Sequence, residues 1–310
     1  MDLEILIQNI LNALQWGSFY ALIALGYTLV YGVLLLINFA HGDIFMVGAY
    51  VGFFFAILFT GNSFIQIPFD IPLWLVFILT VVLSMIVTSF VGVTLERVAY
   101  RPLRRKGANR LYVVITALMC GLILENANLA FFGASRRMFP ELIDKTIYTF
   151  GTISISNIKI MVIITAIMAF IILELIIRKT RIGMAMRAIS YDRVAVPLMG
   201  IPIDRVIVFT FVLGSSMAAL AGVLFVTAYP VLEPYMGAII GWKAFIAAVV
   251  GGIGEIRGAF VGGFLLGFIE IFVAAFFPST FRDLIAFSLL LLLLSMKPTG
   301  LFGVSRSTKI

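Results

Sequence analysis

The chain has 310 residues, of which 62% are hydrophobic and only 12% charged, whereas soluble chains carry about 25% charged residues. A protein of this size could not cover itself with so few charges, so the natural solvent for its surface is lipid and a soluble enzyme is excluded. With a single cysteine (Cys120), a single histidine (His41) and no G-x-x-x-x-G-K-[ST] phosphate loop, the chain has no intrachain disulfide, no expected metal or His-based catalytic site, and no means of hydrolysing ATP by itself.

In chain order, Asp2 and Glu4 with no early Lys or Arg do not read as a secretory signal. The apolar run Ile5–Ile37, interrupted by Gly17, Gly26 and Gly32, is long for one crossing and short for two. It is read as two helices meeting near Gly26–Tyr27, with one tilted helix as the alternative. Clear spans follow at Phe45–Phe59, Pro72–Leu95, Leu111–Phe132, Ile160–Ile177, Val206–Ala228, Ala259–Phe277 and Leu284–Met296. A helix needs roughly 20 apolar residues to cross ~30 Å of hydrocarbon. Gly237–Gly252 is too short for a full crossing and is expected to be a broken or shallow helix. The fold class expected is therefore an all-α polytopic membrane bundle of roughly 8–10 transmembrane segments, some broken or short, in one domain over residues 1–310.

The net charge of +7 resolves into topology signals. Arg97, Arg101, Arg104, Arg105, Lys106 and Arg110 fall in one loop, and Arg178, Lys179, Arg181, Arg187, Arg193 and Arg205 in another. Both are assigned to the cytoplasm by the positive-inside rule, and the tail with Lys297, Arg306 and Lys309 agrees. Ten segments would put both termini inside. A single tilted first helix would move the N-terminus outside. Arg136, Arg137, Lys145 and Lys159 on the opposite face are a mild exception.

Small residues four apart recur at Gly48/Gly52, Gly258/Gly262 and Gly263/Gly267, a spacing that lets helix backbones approach closely in lipid. Gly42-Asp43-Ile44 before Gly48–Gly52 is echoed by Gly254-Glu255-Ile256 before Gly258–Gly262, a pattern open to reading either as a repeat or as chance. Polar residues inside apolar runs need a partner or a wet face. Glu125, Asn126, Asn128 and Glu270 are candidates for a substrate path or for interhelical hydrogen bonds. Asn38, His41 and Asp43 are read as a structural cap, with substrate contact the alternative. Lys243 could reach the interface or pair with an acid. The long loop at about 178–205 mixes apolar and polar residues as on a short amphipathic helix, which could lie on anionic headgroups or hand a motion to a soluble partner.

Several stretches resemble one family. Ala21 to Gly32 leading into Ile37-Asn-Phe-Ala-His-Gly-Asp43, Glu96-Arg-Val-Ala-Tyr-Arg-Pro-Leu103, Arg187-Ala188 through Gly200-Ile201, and Lys243-Ala-Phe through Gly251-Gly-Ile-Gly254 are similar to the branched-chain amino acid ABC transporter permeases of the LivH type. The resemblance implies a permease subunit of an importer for branched-chain or related amino acids, multi-pass in a prokaryotic cytoplasmic (inner) membrane. It also implies a second homologous permease, two ATPase subunits and an extracytoplasmic binding protein, with no cofactor in this chain and with ATP and Mg on the partner subunits. The stretch Arg187–Gly200 resembles the loop that couples to an ATPase, with Arg187, Asp192, Arg193, Val196, Leu198 and Gly200 as its candidate residues. Arg193-Val194-Ala195 stands where the family often has Glu-Ala-Ala. Asn38, Glu125, Asn126, Asn128 and Glu270 are the substrate-path candidates. A stand-alone secondary transporter of a small neutral solute, coupled through Glu125 and Glu270, is the alternative.

Overall fold

A computed structural model describes residues 3–60, 72–193 and 195–303; the tail residues Arg306 and Lys309, Asp2 and Val194 lie outside them. The described chain is a helical bundle. Its helices are α1 (Leu3–Leu34), α2 (His41–Phe59), α3 (Leu73–Leu95), α4 (Arg101–Arg105), α5 (Arg110–Phe132), α6 (Asn157–Lys179), α7 (Arg181–Tyr191), α8 (Ala195–Leu198), α9 (Ile203–Ala228), α10 (Met236–Gly252), α11 (Ile256–Phe276) and α12 (Arg282–Met296). A wide π-type turn at Glu96–Tyr100 carries α3 into α4 without a break. Eight of the described helical segments are long and apolar enough to cross a membrane, and α10 is a shorter apolar helix.

The first run is not two helices. α1 is continuous for 32 residues, about 48 Å at 1.5 Å per residue, so it tilts through the bilayer or emerges from it. Its glycines are contact points rather than breaks. Gly26 receives the His41 imidazole, Gly17 lies against Phe264, and Gly32 lies against the Gly254 backbone. A helix packed from several sides needs apolar or small residues all round, and α1 has them: every residue from Gly17 to Val30 is buried. It packs against α6, α9, α10 and α11 and forms the axis of the bundle. Of the two forms expected for α10, broken or shallow, the short unbroken one is found. It is one unbroken helix of 17 residues, whose length of about 26 Å falls short of ~30 Å of hydrocarbon.

Two small antiparallel ladders mark one face. β1 (Arg137–Met138) pairs with β4 (Val231–Leu232), and β2 (Ile147–Phe150) pairs with β3 (Ile153–Ser156). The start of α1 is tied to this face: Gln8 Oε1 accepts from the Ser154 amide at 3.0 Å, and Lys159 Nζ donates to Asn12 Oδ1 at 2.7 Å. The end of α1 lies on the opposite face, where Arg193 Nη2 donates to the Val33 carbonyl at 2.8 Å. That second face carries the arginine-rich loops, which the positive-inside rule assigns to the cytoplasm. The one-helix form of α1 therefore puts its first residues on the face opposite the arginine-rich loops, and the ten-segment count with both termini on one side is corrected.

The small-residue pairs all sit in close helix contacts, yet with different partners. Gly48 and Gly52 face Ala219 and Val223 of α9; Gly258 and Gly262 face Gly251 and Ala247 of α10; Gly263 and Gly267 face Ala21 and Gly17 of α1. The echo between residues 42–52 and 254–262 is thus not an equivalence of packing.

Candidate functional site

On the arginine face, α7 folds straight back from α6. The Thr180 side chain accepts from the Gly183 amide at 3.1 Å and caps α7, Gly183 is pressed against the Ile176 and Ile177 carbonyls, and the Arg187 guanidinium donates to the Ile177 carbonyl. Asp192 Oδ1 accepts from the Ala195 amide at 3.0 Å and so caps the short α8. Arg193 reaches the end of α1, Val196 is buried beneath, and Gly200 closes the segment with a left-handed φ of 77° that glycine adopts without strain.

Of the six residues the sequence singles out here, Arg187, Arg193 and Val196 thus make contacts that fasten the loop to the bundle, and Asp192 holds the turn between α7 and α8. Gly200 shapes it. Leu198 projects outward. Tyr191, Leu198 and Met199 are 94%, 86% and 76% exposed, and Met184 is 62% exposed. Sequence reasoning passed over Tyr191, Met199 and Met184. The available signal was their bulk and apolarity at positions that an amphipathic pattern reserves for polar groups.

Beside this segment lies a second tied cluster. Glu96 is wholly buried and holds Arg101 at 2.9 Å and Arg104 at 3.0 Å; Arg104 and Arg105 in turn hold Asp204 at 2.6 and 2.8 Å. Several arginines of the first basic loop therefore serve as struts as well as topology signals. A groove of about 700 Å³ runs between them and α8, lined by Arg104, Arg105, Pro197, Gly200 and Asp204.

Inside the bundle, α2 starts not level with the end of α1 but beside Gly26 and Tyr27, in the last third of that helix. His41 stacks edge-on against Tyr27 at 4.7 Å. Neither Asn38 nor His41 caps α2: the N-cap position is Ala40, with no side-chain hydrogen bond, and of the three residues read as a cap only Asp43 serves this end, as the acidic residue of the first turn. Asn38 Oδ1 instead accepts from Tyr100 Oη at 2.6 Å. The first turn of α10 meets the first turn of α2 backbone to backbone, with Gly237 and Gly241 against Gly42. Asp43 and Glu125 both line a cavity of about 350 Å³ at that junction.

The remaining candidates separate. Asn128 is buried and directs Nδ2 at Met46 Sδ, 3.7 Å away. Asn126 is on the exposed side of α5, bonded to its own helix at the Leu122 carbonyl, 2.7 Å away. Glu270 is not among the residues that line the cavity. It accepts from Tyr20 Oη at 2.7 Å and forms an ion pair with Lys243 at 2.9 Å, while Lys243 also reaches Asp283 at 2.7 Å. This is an interhelical bridge among α1, α10, α11 and α12.

Residues 9–294 match the family described as branched-chain amino acid transport system / permease component. The chain belongs to this family. Among permeases that it resembles is the high-affinity branched-chain amino acid transport system permease protein BraD of Pseudomonas aeruginosa, 40% identical over 98% of both chains. The corresponding protein LivH of Escherichia coli strain K12 is 38% identical over 98% of this chain and 97% of its own. A probable LivH permease of the archaeon Methanocaldococcus jannaschii is 26% identical over 94% of this chain and 91% of its own. No solved structure matches the chain significantly. The relatives are transport permease subunits rather than enzymes, and the protein is a multi-pass protein of the inner membrane.

Proposed function

We propose that this permease is the membrane-spanning subunit of an ABC importer for branched-chain amino acids. In this reading it pairs with a second, homologous permease, is driven by two ATPase subunits that bind ATP and Mg, and receives its substrate from an extracytoplasmic binding protein. The family membership and the names of the relatives support the substrate class.

The observation that carries the coupling role is the apolar projection of Tyr191, Leu198 and Met199 from a basic, firmly anchored segment. Large apolar side chains held in water by a fastened scaffold are expensive unless a partner covers them. Arg187, Arg193 and Val196 supply the fastening and Asp192 ties α8 to α7, so a push on α7–α8 is passed to α6 through Ile177 and to α1 through Val33. A gradient-driven carrier acting alone would use Glu125 and Glu270 as titrating sites, but Glu270 is occupied by Lys243 and Tyr20.

The test is ATP-dependent leucine uptake by proteoliposomes holding the assembled importer, together with co-purification of the ATPase subunits. Deletion of 184–199 should abolish ATPase binding. Retained binding after that deletion rejects the docking surface. Uptake by the chain alone on an imposed proton or sodium gradient rejects the importer.

A further inference from the structure

Asp43 stands apart from the other buried acids of this chain. Glu96 has Arg101 and Arg104, and Glu270 has Lys243 and Tyr20. Asp43 is only 8% exposed, and its Oδ1 has no hydrogen-bond partner among the described residues. A carboxylate oxygen buried without a partner is costly, and most costly at membrane depth. Its surroundings keep room beside it. A Cβ on Gly237 would lie 2.9 Å from Oδ1, and one on Gly121 would press on Oδ2, so glycine at both positions leaves the carboxylate uncrowded.

The cavity that Asp43 lines is built for a cation with an apolar tail. Glu125 adds a second carboxylate, and the lining contains no Lys, Arg or His. Tyr27, Phe39 and Trp242 give it aromatic walls, the last two with ring centres 5.4 Å apart, and such faces attract an ammonium. Leu118, Met119 and Leu122 of α5 form an apolar wall opposite. The first turn of α10 enters the lining at Gly237 and Ala238, and its N-cap residue Tyr235 makes no side-chain hydrogen bond to the helix end. A carboxylate is welcome at such an end. At about 350 Å³ the space lies near the lower bound for small-ligand pockets.

We infer that Asp43, with Glu125, forms the subsite that takes the α-ammonium of the transported amino acid, its apolar side chain lying along α5. This rests on the proposed import function and adds where this chain holds the substrate. The two carboxylates recognise the ammonium, and the first turn of α10 balances the substrate's own carboxylate.

The experiment is leucine uptake by proteoliposomes containing the complete importer, with co-purification of the ATPase subunits as the check on folding. Asp43→Asn is expected to assemble and to lower uptake at least about tenfold, the scale of one lost charge-assisted hydrogen bond. Glu125→Gln, at a half-buried position, should lower it severalfold, and Ala238→Trp should block it by filling the space. Wild-type uptake rates in an assembled Asp43→Asn importer overturn the inference. If Asp43→Asn does not assemble, Glu125→Gln and Ala238→Trp decide, and wild-type rates in both overturn it. Sodium-dependent wild-type uptake that becomes sodium-independent in Asp43→Asn would assign the carboxylate to an inorganic cation and overturn it as well. Failure of the wild-type importer to carry leucine would instead overturn the import reading, and this subsite with it.

Discussion

Lys243 of α10 lies 2.9 Å from Glu270 of α11, and both side chains are almost wholly buried. Asp283, half-exposed, shares the same ammonium at 2.7 Å. The pair fastens the short helix to its neighbours at a depth where an unpaired charge is costly. Removing one partner should therefore hurt more than removing both. Lys243→Met is expected to destabilise the protein by about 3–5 kcal/mol, and Lys243→Met with Glu270→Met to recover most of that loss. Thermal unfolding in detergent measures it, and a single variant that melts like the wild type would show that the bridge is not structural.

Tyr100 donates to Asn38 at 2.6 Å, joining the π-type turn after α3 to the link between α1 and α2. Tyr100→Phe leaves the buried Asn38 oxygen without its donor and should cost about 1–3 kcal/mol. Asn38→Ala in the same background should add little, because the pair has already been broken. Additive losses in a double-mutant cycle would refute the coupling.

Gly222 of α9 has no room for a side chain, since a Cβ there would lie 2.6 Å from the Phe45 carbonyl oxygen and 2.9 Å from the Ala49 nitrogen. Backbone atoms cannot rotate away as a side chain can. Gly222→Ala should exceed the usual overpacking cost of about 1–3 kcal/mol and sharply lower the yield of folded protein. Gly107 provides the contrast: its φ is +63° with nothing within 4 Å, so Gly107→Ala should cost only about 1–2 kcal/mol of backbone strain. Equal expression and melting of the two variants would contradict the packing argument.

The exposed Tyr191 and Leu198 should matter for association and not for folding. Tyr191→Asp or Leu198→Asp is expected to leave thermal stability within about 0.5 kcal/mol. The same changes should weaken retention of the ATPase subunits on an affinity column at least about tenfold, as for hot-spot residues. Arg193→Ala should show the opposite emphasis, loosening the segment through loss of its bond to Val33.

The course of α1 is tested by labelling. In a Cys120→Ala background, Ile5→Cys should react with a membrane-impermeant thiol reagent added outside, and Tyr191→Cys only after the membrane is opened. Both positions are exposed. Labelling of Ile5→Cys from the cytoplasmic side alone would reverse the orientation.

Hydropathy determined the membrane class and most of the spans, because lipid constrains composition residue by residue along the chain. Ordered motifs such as Asn38-Phe-Ala-His-Gly42 carried the family. The path of Leu3–Leu34 was not legible in the same way. Glycine in an apolar run reads equally as a helix break or as a close contact, and only His41, Phe264 and Gly254 lying against Gly26, Gly17 and Gly32 decide between them. The polar candidates were also legible as residue types but not as roles. Glu125 and Glu270 look alike in sequence, yet one lines a cavity with Asp43 and the other is locked to Lys243. That distinction depends on which helices cross, and helix crossing is set by side-chain packing between segments far apart in the chain.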